Sequence, residues 1–409
     1  MALHVMDEAN KCLQCKNPMC RKGCPINTNI PEAIRLLREN KLNEAGKMLF
    51  FNNPLTTVCS LVCNHENQCE GHCVLGIKGI PVHFSTIENY ISTTYANQMT
   101  EGPKPSNGIK VAIVGSGPAG LTISVILARY GYDVTIFDIN EKIGGVLRYG
   151  IPEFRLPKSV LDDFEYRHLR LKGIKVRPNT TIGTSITIDD LFRDGYKAVF
   201  VGTGTWRPNT LGIKGESLGN VHFAIDYLKS PDVYHLGDSV NIIGVGNAAM
   251  DVARTAIRHG SRNVTCFARR DAVSASQYEF SYAKLEGVNF EFNKSPVEIR
   301  DDGVIFVDTT VNEEGRVVPV EGSKKFYPSD SVIVSVSQGA MNRIVSTTKG
   351  LETNKKGLLV ADEHGHTTRE GVFTSGDVVS GAKTVVEAVA ASKQTAEAMH
   401  EYLQSLPKE

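Results

Sequence analysis

The 409-residue sequence has no net formal charge, since 45 lysines and arginines offset 45 aspartates and glutamates. A chain without a field of one sign has no general means of gathering nucleic acid or an anionic surface. No run approaches eighteen uninterrupted apolar residues, so no helix is expected to cross a membrane. The opening MALHVMDEANKC has neither the apolar stretch nor the basic flank of a secretory signal. From these absences we expect a soluble, cytoplasmic protein with no nucleic-acid or membrane partner. Over most of its length the chain also lacks cysteine: residues 108–409 contain only Cys266. It sits in Asn263-Val264-Thr265-Cys266-Phe267, where it reads as a small buried hydrophobe of an apolar strand. A redox-active cysteine pair, which a disulfide reductase needs beside its nucleotides, is thus missing from that stretch.

The other eight cysteines lie between Lys11 and Glu88, as C-x2-C-x4-C-x3-C-P (Cys12, Cys15, Cys20, Cys24, Pro25) and C-x3-C-x5-C-x3-C (Cys59, Cys63, Cys69, Cys73). Disulfides do not suit an intracellular chain, where thiols are held reduced. Structural zinc calls for two close pairs per ion, and only Cys12 and Cys15 have the tightest spacing. Bacterial ferredoxins, by contrast, follow a close series of cysteines with a Cys-Pro whose sulfur serves a second cluster. Two iron–sulfur clusters are therefore expected. Spacing alone leaves open which cysteine serves which. Short helices, Ile30–Leu37 and Lys41–Phe51, are predicted between the ligands from Pro31 near a helix start and apolar residues three and four apart.

After the turn-rich segment from Glu101 to Gly108, the strand Lys110–Val114 runs into Gly115-Ser116-Gly117-Pro118-Ala119-Gly120. A helix (Leu121–Tyr130) and a second strand ending at Asp138 follow. That order is the dinucleotide fingerprint: glycines for the tight turn and the pyrophosphate, a helix N-terminus for its charge, an acid for ribose hydroxyls. A second copy starts at Val240–Ile243 with Gly244-Val245-Gly246-Asn247-Ala248-Ala249, a helix to His259 and the strand Asn263–Phe267. Here the acid is missing and Ala268-Arg269-Arg270 follows the strand. Guanidinium groups clamp a 2′-phosphate that a carboxylate would repel, so NADPH is expected over NADH. Two such folds point to FAD plus nicotinamide. Near the C-terminal end, Gly376-Asp377 after a strand suits the flavin's ribityl–phosphate arm, and a helix from Lys383 onwards turns its positive end toward the pyrimidine edge. Val199–Gly204 reads as a strand-to-turn crossing between domains, with the NADPH unit inserted in the FAD domain.

Taken together, both cysteine runs, GSGPAG, Gly144-Gly145-Val146-Leu147-Arg148-Tyr149-Gly150-Ile151-Pro152-Glu153-Phe154-Arg155, the GVGNAAMD stretch and Arg269-Arg270 resemble the small-subunit family of NADPH glutamate synthase. Related chains are the flavin subunit of the NADH-dependent ferredoxin:NADP oxidoreductase and the N-terminal half, or separate small subunit, of dihydropyrimidine dehydrogenase. The resemblance implies an α/β fold with four segments: a helical double [4Fe–4S] domain (1–107), a first FAD-binding segment (108–235), an NADPH domain (236–335) and a closing FAD-binding segment (336–409). It implies Cys12, Cys15, Cys20 and Cys73 on one cluster, and Cys24, Cys63, Cys69 and Glu88 on the other, leaving Cys59 over. FAD would be held by Gly115, Gly117, Pro118, Ala119, Gly120, Asp138, Gly144, Gly145, Leu147, Gly204, Gly376, Asp377, Thr384 and Val385. NADPH would be held by Gly244, Gly246, Asn247, Ala248, Ala249, Arg269 and Arg270. Ala275-Ser276-Gln277-Tyr278-Glu279 departs from the Met-Pro stretch expected after the arginines. No catalytic acid, base or nucleophile is expected, because hydride passes from NADPH to flavin and single electrons leave through the clusters. No glutaminase, synthase barrel or pyrimidine-reducing domain is present in the sequence, so a catalytic partner subunit or ferredoxin-like acceptor in a hetero-oligomer is expected. The alternatives within the resemblance are a dihydropyrimidine dehydrogenase small subunit and an electron-bifurcating transhydrogenase subunit. Outside it stands a zinc-bearing scaffold.

Overall fold

A computed structural model describes residues 4–98, 102–341 and 343–407. Of the linker expected from Glu101 to Gly108, Glu101 lies outside the described residues. The chain divides into two compact units. The first comprises residues up to 148, 153–205 and from 339 onwards; the second comprises 149–152 and 206–338, so its main segment is an insertion in the sequence of the first.

The first unit begins with a helical module: α1 (Val5–Lys11), α2 (Met19–Lys22), α3 (Ile30–Arg38), α4 (Leu42–Asn52), α5 (Thr56–Val62) and α6 (Phe84–Gln98). The predicted helices 30–37 and 41–51 are α3 and α4. In α3, Pro31 occupies the first turn, where no intrahelical N–H is lost. Ile30, Ala33, Ile34 and Leu37 form its buried stripe, joined in one core by Leu49 of α4 and by Phe84, Ile87 and Ile91 of α6. The cysteines stand mostly on the connections and helix ends, as a cluster module requires.

The same unit continues with a five-stranded parallel sheet in the order Val372–Thr374, Tyr196–Val201, Lys110–Val114, Asp133–Phe137, Lys175–Arg177. The central strands are apolar on both faces because helices cover both; Ala112, Val199 and Val201 are fully buried. Each such valine contributes roughly 1.5–3 kcal/mol. Helix α7 (Pro118–Arg129) starts three residues earlier than the periodicity suggested, with Pro118 in its first turn. It packs against helix Val385–Ser405. That last helix starts at Val385 rather than Lys383 because Thr384 and Glu387 cap it reciprocally: the Thr384 hydroxyl donates to Glu387 Oε2 at 2.6 Å and accepts from the Glu387 N–H.

The helical module is fastened to this flavin-type fold within the same unit. Arg129 donates to the Phe50 carbonyl at 3.0 Å, with its guanidinium 4.5 and 4.3 Å from the Phe50 and Phe51 ring centres. His168 stacks on Phe50 at 4.5 Å and lies 4.9 Å from Phe164.

The second unit holds another five-stranded parallel sheet, ordered Val221–Phe223, Ser331–Val334, Ser239–Ile243, Asn263–Phe267, Asn289–Glu291. An antiparallel sheet built on Lys294–Arg300 and Gly303–Val311 accompanies it. Buried Arg254 on helix Asn247–Arg258 pairs with Glu279 and Glu286, each at 2.9 Å, and so ties helix Gln277–Leu285 alongside. Cys266 is fully buried in its strand, and burial raises its thiol pKa well above the ordinary value.

Candidate functional site

Cys12, Cys15, Cys20 and Cys73 wall one cavity, together with Cys69 and an apolar shell that includes Leu13, Met19, Ile34 and Phe84. Burial pushes the Cys20 thiol up to about 11, and the neighbouring Cys73, Cys12 and Cys15 push the same way. Cys12 is raised by burial and then by Cys15 and Cys73. Four thiols around one largely apolar hollow, with Cys12 and Cys20 held toward the protonated form, are a set that a cation would convert to thiolates. Among the described residues no group of three or more His, Cys, Asp or Glu is placed to hold a single metal ion. A multi-iron cluster asks for the wider arrangement, because each cysteine binds its own iron. The donor set fits.

The second set gathers at the junction of α5 and α6. Cys63 is raised by its hydrogen bond with Cys59, then by burial, then by Cys59, Glu88 and Cys69; Cys69 is raised by burial, then by Glu88, Glu70 and Cys24. Cys24, Cys63, Cys69 and Glu88 are thus brought into one neighbourhood, with Cys59 in contact. Glu88 does not face solvent. It is 6 % exposed on the inner face of α6, and burial raises its pKa to about 7. The Thr56 hydroxyl, at the start of α5, donates to Glu88 Oε1 at 2.7 Å. A buried carboxylate with one oxygen fixed by a neutral donor suits a cation at the other.

Two further acids brace this region and were missed in the sequence, where nothing distinguishes them from surface glutamates. Glu8 accepts from the His83 N–H at 3.1 Å and pairs with Lys11. Burial pushes it up, but Lys11 and that N–H outweigh burial and hold it below the usual carboxylate range. Glu70 accepts from the Ser85 N–H at 2.9 Å and the Ser85 hydroxyl at 2.7 Å. Between them they set the turn that launches α6 and hence the direction of Glu88. A polar chain also leaves Cys24: its Sγ donates to Thr28 Oγ1 at 3.3 Å, Asn52 donates to the same oxygen at 3.2 Å, and Lys393 donates to Asn52 Oδ1 at 2.6 Å. Lys393 belongs to helix Val385–Ser405 of the flavin-type fold. The second set therefore adjoins that fold.

The first dinucleotide loop has the geometry the fingerprint demands. Gly115 has φ +99°, and a Cβ there would lie 2.5 Å from the Gly202 carbonyl oxygen. At Gly117 nothing lies within 4 Å of an added Cβ, so the chain leaves open space where a pyrophosphate would approach the start of α7. Gly145 closes on Gly117, and Gly376 meets Ala119, so 144–147, 376–377 and the loop share one rim. Asp138 is buried; its Oδ2 accepts from the Ser116 N–H and hydroxyl and its Oδ1 from the Asn140 N–H at 2.7 Å. The Asn140 side-chain amide also donates to Oδ1 at 3.1 Å, so each oxygen already accepts two hydrogen bonds: in this structure Asp138 anchors the loop, and a ribose hydroxyl would have to replace one of these donors. Asp377 is raised to about 6 by burial and accepts from the Lys383 N–H at 3.2 Å. Gly204 turns with φ +67°, and Thr384 and Val385 open the capped helix described above.

In the second unit Gly244 has φ +137°, and a Cβ would overlap the Ser335 carbonyl. Asn247 accepts from the Ser276 N–H at 2.8 Å, which fixes the segment that departs from the expected Met-Pro pattern. Gly246, Ala248 and Ala249 complete the turn into the helix. Arg269 and Arg270 follow the strand with exposed side chains, and their carbonyls are held by the Thr309 hydroxyl (2.8 Å) and the Asn293 N–H (3.3 Å). Among the described residues no ion pair joins either arginine to Asp271.

Residues 2–100 match the family described as dihydropyrimidine dehydrogenase domain II, 4Fe-4S cluster, and residues 109–394 match pyridine nucleotide-disulphide oxidoreductase. The chain is 36% identical to a glutamate synthase [NADPH] small chain of Halomonas elongata, over 97% of this chain and 90% of that one. It is 32% identical to the NAD-dependent dihydropyrimidine dehydrogenase subunit PreT of Escherichia coli, over 98% and 95%. The solved structure of Mycobacterium tuberculosis FprA in complex with NADPH shares the fold, with TM-score 0.62 and 18% identity over 74% of this chain and 85% of that one. FAD, a nicotinamide nucleotide and [4Fe–4S] chemistry are accordingly the cofactors of this fold combination. With one match covering well over half of its length and relatives aligned almost end to end, the chain belongs to the pyridine nucleotide-disulphide oxidoreductases, in the family that holds glutamate synthase small chains and dihydropyrimidine dehydrogenase subunits.

Proposed function

We propose that this chain is an electron-input subunit that takes a hydride from NADPH and delivers single electrons to a partner protein. The observation that carries the reading is the placement of both cysteine sets and the flavin-type fold in one compact unit, with Cys24 tied through Thr28 and Asn52 to Lys393. When bound, FAD and two [4Fe–4S] clusters supply the conversion of a two-electron donor into one-electron steps. The chain's own residues bind and orient. Gly115, Gly117 and Gly120 with the start of α7 receive the pyrophosphate of FAD, and Asp138 the ribose. Gly144, Gly145, Leu147, Gly376 and Asp377 border the arm, and Thr384 with Val385 directs the helix's positive end to the ring. Cys12, Cys15, Cys20 and Cys73 ligate one cluster, and Cys24, Cys63, Cys69 and Glu88 the other. Gly244, Gly246 and Asn247 hold the nicotinamide nucleotide, with Arg269 and Arg270 on its 2′-phosphate.

The relatives' names leave two partner chemistries, glutamate synthesis and dihydropyrimidine dehydrogenation, and either would receive electrons in a separate chain. Anaerobic titration tests the reading directly: NADPH should bleach the flavin absorbance and generate reduced-cluster electron paramagnetic resonance signals, with about eight irons per chain expected for two four-iron clusters. Flavin bleaching in a protein free of iron and acid-labile sulfide would refute it.

A further inference from the structure

The rim of the first cysteine set has an unusual surface. Leu13, Met19, Ile77 and Ile80 are 62%, 42%, 80% and 69% exposed, four large apolar side chains on the two segments that carry Cys12, Cys15, Cys20 and Cys73. They share one place. Leu13 and Met19 line the cavity with Cys73, Val74, Leu75 and Val82, the two ends of the loop whose tip bears Ile77 and Ile80. The end of α2 abuts the same loop, because a Cβ at Gly23 would collide with the His72 ring. Isolated exposed hydrophobes need no explanation, but a cluster at a redox-type pocket does.

On the two segments that carry them the charge has one sign. Segments 9–31 and 71–83 contain no aspartate or glutamate. Lys11 is paired with buried Glu8, whereas Lys16, Arg21, Lys22 and Lys78 are exposed, in a chain whose overall charge is zero. An apolar centre ringed by cations is the complement of a face with an apolar centre ringed by carboxylates. Nucleic acid would favour the cations but not Ile77, Ile80 and Leu13.

The two sets are also ordered. Cys24 of the second set is linked to the flavin-type fold through Thr28, Asn52 and Lys393, while the first set opens on this rim. We propose that the rim of Leu13, Met19, Ile77 and Ile80 with Lys16, Arg21, Lys22 and Lys78 is the electron-exit dock, and that its occupant is an acceptor protein with an acidic docking face. This rests on the electron-input reading above and adds the location of the exit and the charge of the partner.

Two one-electron acceptors of opposite surface charge test it: acidic plant plastocyanin and basic mitochondrial cytochrome c. Each NADPH oxidised to NADP⁺ and a proton yields two electrons, hence two Cu(II) centres reduced to Cu(I) or two ferric haems to ferrous. With the cofactor-loaded protein, plastocyanin reduction should be the faster at low ionic strength and should slow about tenfold as salt is raised. The quadruple variant Lys16→Glu, Arg21→Glu, Lys22→Glu, Lys78→Glu should reverse the preference while NADPH bleaches the flavin at the wild-type rate. Docking is read separately by titrating the protein into ¹⁵N-labelled, cadmium-substituted plastocyanin, whose acidic-patch resonances should shift with wild type and with neither the quadruple variant nor Ile77→Ser with Ile80→Ser. Equal, salt-insensitive reduction of both acceptors, or unchanged shifts in the variants, overturns the dock and leaves the electron-input reading standing. Docking shifts without reduction of either acceptor would leave the rim a surface for an acidic partner but overturn it as an electron exit, and the electron-input reading with it.

Discussion

Glu88 carries more of the proposed cluster assignment than any other single side chain, because its buried surroundings suit a cation beside it. An acid that is buried, raised to about 7 and bonded by one hydroxyl is costly to keep for packing alone. Glu88→Ala should change the resonance signal of one cluster, the one involving Cys24, Cys63 and Cys69, and leave the other as it was. Cys59→Ala should leave both intact, and loss of a cluster in that variant would transfer the fourth-ligand role from Glu88 to Cys59. Thr56→Val keeps the volume and removes the donor to Oε1. It should shift the potential and signal of that same cluster and cost about 1–3 kcal/mol for the carboxylate oxygen left bare, with Thr56→Ser restoring both. At this scale the sequence was legible only in part. Cysteine spacing announces metal, but Thr56, Glu8 and Glu70 matter through their distance to residues 15 to 75 positions away, which no local pattern encodes.

Among elements, the strand-to-helix turns were the most legible. The strands Lys110–Val114 and Asn263–Phe267 stand where the apolar residues put them, because Val111–Val114, and Val264 with Cys266 and Phe267, supply the buried positions of a parallel strand covered on both faces. Boundaries at helix starts were less visible. The onset of α7 depends on Pro118 and the onset of the last helix on a reciprocal cap, both outside the apolar periodicity. At the end of strand Asn263–Phe267 the two arginines have their backbone held by Thr309 and Asn293 while their side chains reach outward. Arg269→Ala with Arg270→Ala should therefore lower kcat/KM for NADPH by roughly 10- to 100-fold, the worth of one charged contact of 1.5–3 kcal/mol, and leave NADH almost unaffected. An unchanged ratio of the two nucleotides would remove these residues from the 2′-phosphate.

For the whole molecule the seam between helical module and flavin-type fold contributes to the loss of stability in acid. His168 is stacked on Phe50 and flanked by the tilted ring of Phe164; burial, then Lys172, Arg129 and Arg167, hold its pKa down to about 3. Between about 3 and the ordinary 6.5 the unfolded chain binds the proton and the folded one does not. Stability from this group is present above that window and is lost as pH falls through it, by at most about 5 kcal/mol. His168→Phe should flatten the pH dependence of the unfolding midpoint between pH 3 and 6.5; a slope equal to wild type would show that the imidazole is not charged on unfolding. None of this was readable beforehand, since a lone histidine in Glu165–Leu169 gives no sign that it will meet a phenylalanine more than a hundred residues earlier.

The crowding of thiols has a chemical consequence for how such a protein must be made. Cys59 and Cys63 already share a hydrogen bond, and Cys12, Cys15, Cys20 and Cys73 border a single hollow. Stripped of metal in air, thiols at such close quarters oxidise to one another instead of remaining ligands. Iron and sulfide must reach this module before oxygen does, and reductant alone, without both, will not return an aerated preparation to its working form.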